Sequence, residues 1–282
     1  MNINWYPGHM KKTRESIQKS LTMVDIVFEL IDARIPASSR NPVIDSIVGE
    51  KPRIVILNKS DLASSSGNKL WQEYFLENSI SSVCLEALSG KGIDKLLQLS
   101  FDITDEKRKA YEKRGVINRP TRAMILGIPN VGKSTLINSL AGRKGAKTGN
   151  RPGVTKSNQW IKTKGNLELL DTPGILWPKF EDPEVGLNLA FTGAIKDEIL
   201  DIETLALKLI ERLANYFPNL LNNRYNIEIE GKSYLDIMEE IGKKRGCIIK
   251  GGEIDYTKVS NIILDEFRKG VIGNITLEFP KE

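Results

Sequence analysis

Residues 127–134 read Gly127-Ile128-Pro129-Asn130-Val131-Gly132-Lys133-Ser134, the pattern GxxxxGK[ST], near the middle of a 282-residue chain. The apolar run before it, residues 121–126 (TRAMIL), suits a buried strand. Residues 133–140, apolar at Leu136, Ile137 and Leu140, suit a helix. Strand, glycine-rich turn and helix is the setting in which this pattern cradles phosphate. N–H groups of the turn face inward as an anion nest, and the helix N-terminus adds partial positive charge. Glycines at 127 and 132 allow an approach that a Cβ would block. Lys133 reaches the β- and γ-phosphates and the Ser134 hydroxyl binds Mg²⁺, while Asn130, Val131, Gly132 and Thr135 complete the phosphate contacts. A chance glycine-rich turn would carry the same letters, and two further motifs weigh against it.

The first is Asn58-Lys59-Ser60-Asp61, at the end of the apolar run 52–57 (PRIVIL). Guanine presents two donors on one edge, and the Asp61 carboxylate can accept both. Adenine would turn a lone pair toward that charge and leave it unmatched. Asn58 bonds the base or braces the phosphate loop, and the Lys59 stem covers one face of the base. Alone, these four residues read equally well as a polar turn after a strand. A weaker element is Ala87, whose backbone N–H can reach the guanine carbonyl. A plain strand end before the turn at 89–92 (SGKG) explains the same letters.

The second is Asp171-Thr172-Pro173-Gly174, after the run 167–170 (LELL). Asp171 can hold a water on Mg²⁺, and the Gly174 N–H can bond a γ-phosphate oxygen, a bond lost on hydrolysis. Thr155, in the Gly- and Lys-rich stretch before it, is the candidate second hydroxyl ligand to Mg²⁺. Many GTPases orient the attacking water with a glutamine directly after this glycine. Here that position is Ile175, which has no polar atom, so intrinsic hydrolysis is expected to be slow. His9 is the one histidine, in Trp5-Tyr6-Pro7-Gly8-His9-Met10. From these residues alone it reads as an ordinary histidine of a terminal loop sooner than as a water-positioning imidazole.

The base-reading residues precede the phosphate loop, the reverse of the usual order. All of these loops belong at the carboxyl edge of one parallel sheet, and a site assembled in space is indifferent to chain order. With GIPNVGKST, the strings WYPGHM (5–10), DARIP (32–36), SSRNP (38–42), DTPGILWPKF (171–180) and TGAIKD (192–197) make the chain resemble the circularly permuted GTPases, and within them the ribosome biogenesis GTPase A group. The resemblance covers nearly the whole chain. It implies GTP and GDP as ligands, with Mg²⁺. It also implies a role in late assembly of the large bacterial ribosomal subunit, stimulated by the precursor particle, with ribosomal RNA and ribosomal proteins as partners. It matches the apolar residue at 175 and makes His9 the catalytic candidate. It adds Asn130 as a ligand for K⁺, where a simple turn residue is an equal reading.

The expected fold class is α/β: a circularly permuted P-loop GTPase domain over residues 1–178, with a mostly parallel sheet and helices on both faces, then a smaller all-α domain over 179–282. In the latter, Asp201 can cap a helix apolar at Ile202, Leu205, Leu209, Leu213 and Phe217 and stopped by Pro218. Ser233 can cap another, with Leu235, Met238 and Ile241 inward, and Thr257 a third, with Val259, Ile262, Ile263 and Phe267 inward. The basic turn Lys243-Lys244-Arg245, followed by Lys250-Gly251-Gly252, is the RNA-contact candidate. The last residues, with Ile275, Leu277 and Phe279, alternate as an extended strand would.

Forty-one Lys and Arg against 36 Asp and Glu give a net charge of +5, which favours nucleic acid modestly. No run approaches the roughly 18 apolar residues of a membrane span, and the N-terminus has no apolar signal region. Two cysteines, Cys84 and Cys247, make neither a metal site nor a disulfide framework, so a reducing cytoplasm fits. A monomer is expected. The leading function is a GTP hydrolase that acts as a timer. The alternative is an RNA-docking scaffold for which GTP is a structural ligand.

Overall fold

The computed structural model describes residues 10–142, 160–170 and 182–280. His9, Thr155, Asp171, Gly174 and Ile175 lie outside the described residues. The chain forms two compact units, Met1–Pro183 with Thr276–Glu282, and Glu184–Ile275.

In the first unit, α1 (Met10–Leu21) leads to β1 (Ile26–Asp32) and the short helices α2 (Pro36–Ser39) and α3 (Pro42–Val48). Then come β2 (Arg53–Asn58), α4 (Ser65–Glu77), β3 (Ser81–Leu85), α5 (Ile93–Glu112), β4 (Thr121–Gly127), α6 (Lys133–Ala141), β5 (Trp160–Lys162) and β6 (Leu167–Leu170). The sheet order is β3-β2-β1-β4-β6-β5. All neighbours are parallel except the β5–β6 pair at one edge.

Parallel strands covered on both faces must be apolar along their length, and β1 and β2 meet that demand. One face packs Val27, Met124 and Leu126 under α1 and α3. On the same side Ile31, Val55 and Leu57 pack under Trp71 and Phe75 of α4. Side chains alternate along a strand, so Thr121 points to the opposite face, where its hydroxyl lies 3.4 Å from that of Thr104 on α5. Helices therefore cover both faces, as the sequence requires. Glu29 is the exception inside β1. It is fully buried and paired with Arg40 at 3.3 Å and Arg53 at 3.1 Å. Burial pushes its carboxyl pKa up despite those two cations.

The second unit is helical: α7 (Pro183–Phe191), a 3₁₀ turn at Asp197–Ile199, α8 (Ile202–Tyr216), α9 (Pro218–Tyr225), α10 (Tyr234–Lys244) and α11 (Tyr256–Arg268). Asp201 caps α8 by accepting from the Thr204 N–H, and Ser233 caps α10 in a reciprocal pair with Asp236. Pro218 does more than stop α8. It opens α9 at its first position, where the missing N–H is no loss.

Several expectations change. Asp255, not Thr257, caps α11, because its carboxylate accepts from the Lys258 N–H while Thr257 already lies in the first turn. Leu235 is exposed and Ile237 takes the inward position on α10. Arg245 leaves the basic turn: it pairs with Glu266 at 2.9 Å and stacks 5.2 Å over Tyr225, so Lys243, Lys244 and Lys250 are the exposed charges there. The boundary falls at Pro183 instead of 178, and residues from Thr276 onward return to the first unit instead of ending the second. The physical reason is local. Thr276 is fully buried against Ser64, and the Leu277 N–H donates to the Arg34 carbonyl at 2.8 Å.

Candidate nucleotide-binding site

The carboxyl ends of β1, β2, β3 and β4 lie side by side, as their register shows: Asp32 beside Asn58, Asn58 beside Leu85, and Leu30 beside Gly127. This edge gathers the described motif residues although they stand far apart in sequence. At the end of β4 the chain turns through Ile128, Pro129, Asn130, Val131 and Gly132 into α6. Asn130 and Gly132 both take positive φ, 59° and 106°, which curls the turn around an inward-facing nest of N–H groups.

Gly132 is required on two counts. Its φ of 106° disfavours any side chain, and a Cβ there would stand 2.3 Å from Asn58 Nδ2. That closeness lets Asn58 do its work. Its Nδ2 donates to the Val131 carbonyl at 2.8 Å, and its Oδ1 accepts from the Ala87 N–H at 3.1 Å. One buried amide thus ties the phosphate loop to both base-side loops. Of the two roles open to Asn58 in the sequence, bracing the loop is the one observed. The Ala87 N–H, expected to reach guanine, is here committed to Asn58.

Lys59 follows with φ of 58° and turns back toward the phosphate loop. Its Nζ donates to the Asn130 carbonyl at 3.2 Å and to Asp32 at 2.9 Å. Asp32 is also gripped by Arg34, whose Nε and Nη2 donate at 2.9 and 2.7 Å. Burial alone would raise the Asp32 pKa. The charges of Arg34 and Lys59, and their hydrogen bonds, outweigh it and hold the carboxyl well below its ordinary range. Arg34 is itself buried, so this is a satisfied interior ion pair with an N–H donor for each oxygen. Sequence reasoning quoted Asp32 and Arg34 only as letters of a resemblance. The signal that could have found them is a charged DAR step straight after an apolar strand.

Asp61 is exposed at the same edge, three residues beyond the end of β2. The Ser60 N–H donates to the Leu85 carbonyl at 3.3 Å, and the Asn68 side chain holds the Ser60 carbonyl at 2.9 Å. The turn is thereby fixed while the Asp61 carboxylate faces solvent, where it can meet a base. Lys133 opens α6, and its Nζ donates to the Gly127 and Ile128 carbonyls at 2.9 and 2.6 Å. The ammonium is already aimed into the loop. Ser134 is exposed and Thr135 half-buried in the first turn of α6. A hydroxyl at that place suits Mg²⁺, a hard cation that prefers oxygen. Among the described residues no group of three His, Cys, Asp or Glu gathers for a metal. The other proposed Mg²⁺ groups, Thr155 and Asp171, and the γ-phosphate donor Gly174 lie outside the described residues.

A phosphate-type loop with its lysine and helix N-terminus at the end of β4, and an exposed acidic side chain just beyond the end of β2, share this sheet edge. A family model described as "50S ribosome-binding GTPase" matches residues 122–237. A protein of Priestia megaterium named ribosome biogenesis GTPase A is 48% identical over 100% of this chain and 98% of its own. One of that name from Thermotoga maritima is 30% identical over 99% and 95%. A solved GDP-bound structure of the T. maritima protein YlqF superposes with a TM-score of 0.69 at 25% identity, covering 95% of this chain and 100% of that one. A GNP-bound YlqF structure superposes at 0.65 with 25% identity, over 96% and 99%. The chain is a P-loop GTPase with the base-reading motif ahead of the phosphate loop, and it belongs to the ribosome biogenesis GTPase A family.

Proposed function

We propose that this GTPase is a timer in late assembly of the large bacterial ribosomal subunit, working in the cytoplasm as a monomer and switched on by the precursor particle. The observation that carries the reading is the gathered nucleotide edge, Asn58, Lys59, Asp61 and Lys133, combined with Ile175 in the place of a water-orienting glutamine. Binding is built in, and hydrolysis lacks its usual polar group. Near-full-length relatives named for ribosome biogenesis supply the setting.

In the proposed cycle Asp61 reads guanine, Lys133 neutralises the β- and γ-phosphates, and the Val131, Gly132 and Thr135 backbone holds their oxygens. Ser134, Thr155 and, through a water, Asp171 would hold Mg²⁺, which would supply charge neutralisation of the phosphates. Gly174 senses the γ-phosphate. His9 orients the attacking water on the particle, and the Asn130 side chain would hold K⁺. Lys243, Lys244 and Lys250 contact ribosomal RNA, with ribosomal proteins nearby. Among the described residues no helix is long and apolar enough to cross a membrane.

GTP turnover measured with and without precursor large-subunit particles, in K⁺ and in Na⁺, tests the timer. Strong stimulation that His9→Ala removes is expected. Unchanged turnover on the particle would refute it. The isoleucine at 175 favours one second reading, a GTP-dependent RNA-binding scaffold with little catalysis. Normal subunit assembly supported by a variant that binds GTP but cannot hydrolyse it would establish that instead.

A further inference from the structure

The segment Thr276-Leu277-Glu278 threads back over the first unit and bonds to it at four places. Thr276 Oγ1 accepts from the Ser64 N–H at 3.1 Å and lies 3.1 Å from Ser64 Oγ. The Leu277 N–H donates to the Arg34 carbonyl at 2.8 Å. The Glu278 carboxylate accepts from the Ser38 N–H at 2.9 Å and from the Ser38 hydroxyl. The Glu278 carbonyl accepts from Trp71 Nε1 at 2.9 Å. The fit is close: a Cβ on Gly67 would stand 2.3 Å from Thr276 Oγ1.

These partners are not scattered. Ser64 lies three residues after Asp61 and caps α4, so it fixes the far side of the base-reading turn. Arg34 grips Asp32, Asp32 receives Lys59, and Lys59 donates to the Asn130 carbonyl. A continuous run of hydrogen bonds therefore leads from Leu277 to the phosphate loop, and a second leads from Thr276 to the base-reading turn.

We propose that residues 276–278 are a positioning strap for the guanine-nucleotide site: they hold Arg34 and Ser64 where Lys59 and Asp61 must stand. None of the three touches nucleotide; they act through those partners. The strap follows directly on Ile275, the last residue of the second unit, so this network is one peptide bond from it. The proposal rests on the guanine-nucleotide reading of the site.

The test uses the full chain. Thr276→Val removes the hydroxyl and keeps the shape, Thr276→Ser restores the hydroxyl, and Leu277→Pro removes the N–H given to Arg34. GDP affinity and release rate are measured with a fluorescent GDP, well below the melting midpoint of each nucleotide-free variant. Thr276→Val is expected to weaken GDP about fivefold, chiefly through faster release, the scale of one hydrogen bond. Thr276→Ser should return to within about twofold of the parent on the same scale. Leu277→Pro should weaken GDP at least as much as Thr276→Val. If Leu277→Pro does not fold, the two Thr276 variants decide. A lowered melting midpoint with unchanged GDP affinity and release would mean the segment only stabilises the fold, and would overturn the proposal. Failure of the unaltered chain to bind GDP would instead refute the site itself.

Discussion

Replacing Gly132 by alanine should disable the nucleotide site, and the structure sets the size of the effect. Two separate costs arise. The φ of 106° is unfavourable for any residue with a Cβ, by about 1–2 kcal/mol. The new Cβ would also stand 2.3 Å from Asn58 Nδ2, which must move. Asn58 is buried, and moving it breaks its bonds to the Val131 carbonyl and the Ala87 N–H. Two such bonds, one leaving a buried N–H unpaired, cost about 2–4 kcal/mol. Gly115→Ala is the matched control. Its φ is 80°, but no atom lies within 4 Å of the added Cβ, so only the backbone cost applies. Since nucleotide binding requires the loop geometry that Asn58 holds, the difference between the two variants should appear in affinity. At about 1.4 kcal/mol per tenfold, GDP binding should fall thirtyfold to several hundredfold in Gly132→Ala and hardly at all in Gly115→Ala. Titration calorimetry with GDP measures both. Equal affinity in the two variants would refute the argument that Asn58 braces the loop.

Other outcomes follow from the same structure. Asp61→Asn should shift preference from guanine to xanthine nucleotides, because the amide offers a donor where the carboxylate accepted two; competition between GDP and xanthosine diphosphate measures it, and retained guanine preference would remove Asp61 as the base reader. Acid should destabilise the first unit in a defined window. Asp25 and Asp32 are both held below the ordinary 3.8, against the opposing effect of burial, by Arg119 and Lys107 in one case and Arg34 and Lys59 in the other. Lowered folded pKa values mean stability that is complete above about 3.8 and fades as pH falls further. Glu29, raised by burial, has the opposite sign, its charge penalty easing as it gains a proton. Urea midpoints from pH 7 to 3 should therefore fall most steeply below pH 4, and Asp25→Asn should flatten that fall. In the second unit, Arg268 donates to the Phe191 and Ala190 carbonyls at the end of α7 and to Asp197. Arg268→Ala should cost about 2–3 kcal/mol, the scale of charge-assisted bonds, and hydrogen exchange of the α7 amides should speed accordingly.

Much of this was legible in the chain. The apolar runs before residues 58 and 127 announced buried strands, since a strand covered on both faces is apolar on both. The phosphate loop announced its own strand, turn and helix because its glycines permit the positive-φ turn and close backbone approach that a phosphate nest needs. The caps Asp201 and Ser233 marked true helix starts through local bonds. Where a choice was local but crowded, reading failed. Asp255 and Thr257 can both cap a helix, and only the backbone path selected Asp255. Leu235 and Ile237 are both apolar near one helix start, and only packing selected Ile237.

What the sequence by itself determined is the GTPase motif set: the phosphate loop, the Asn58–Asp61 tetrad and the apolar residue at 175 are properties of residue type and short spacing. What only tertiary structure decided is what holds that chemistry in place. Asn58 bridging residues 87 and 131, Asp32 pairing with Arg34 and Lys59, and residues 276–278 lying on Arg34 and Ser64 join positions far apart along the chain. No local pattern encodes such contacts, because they exist only once the sheet has brought its strand ends to one edge.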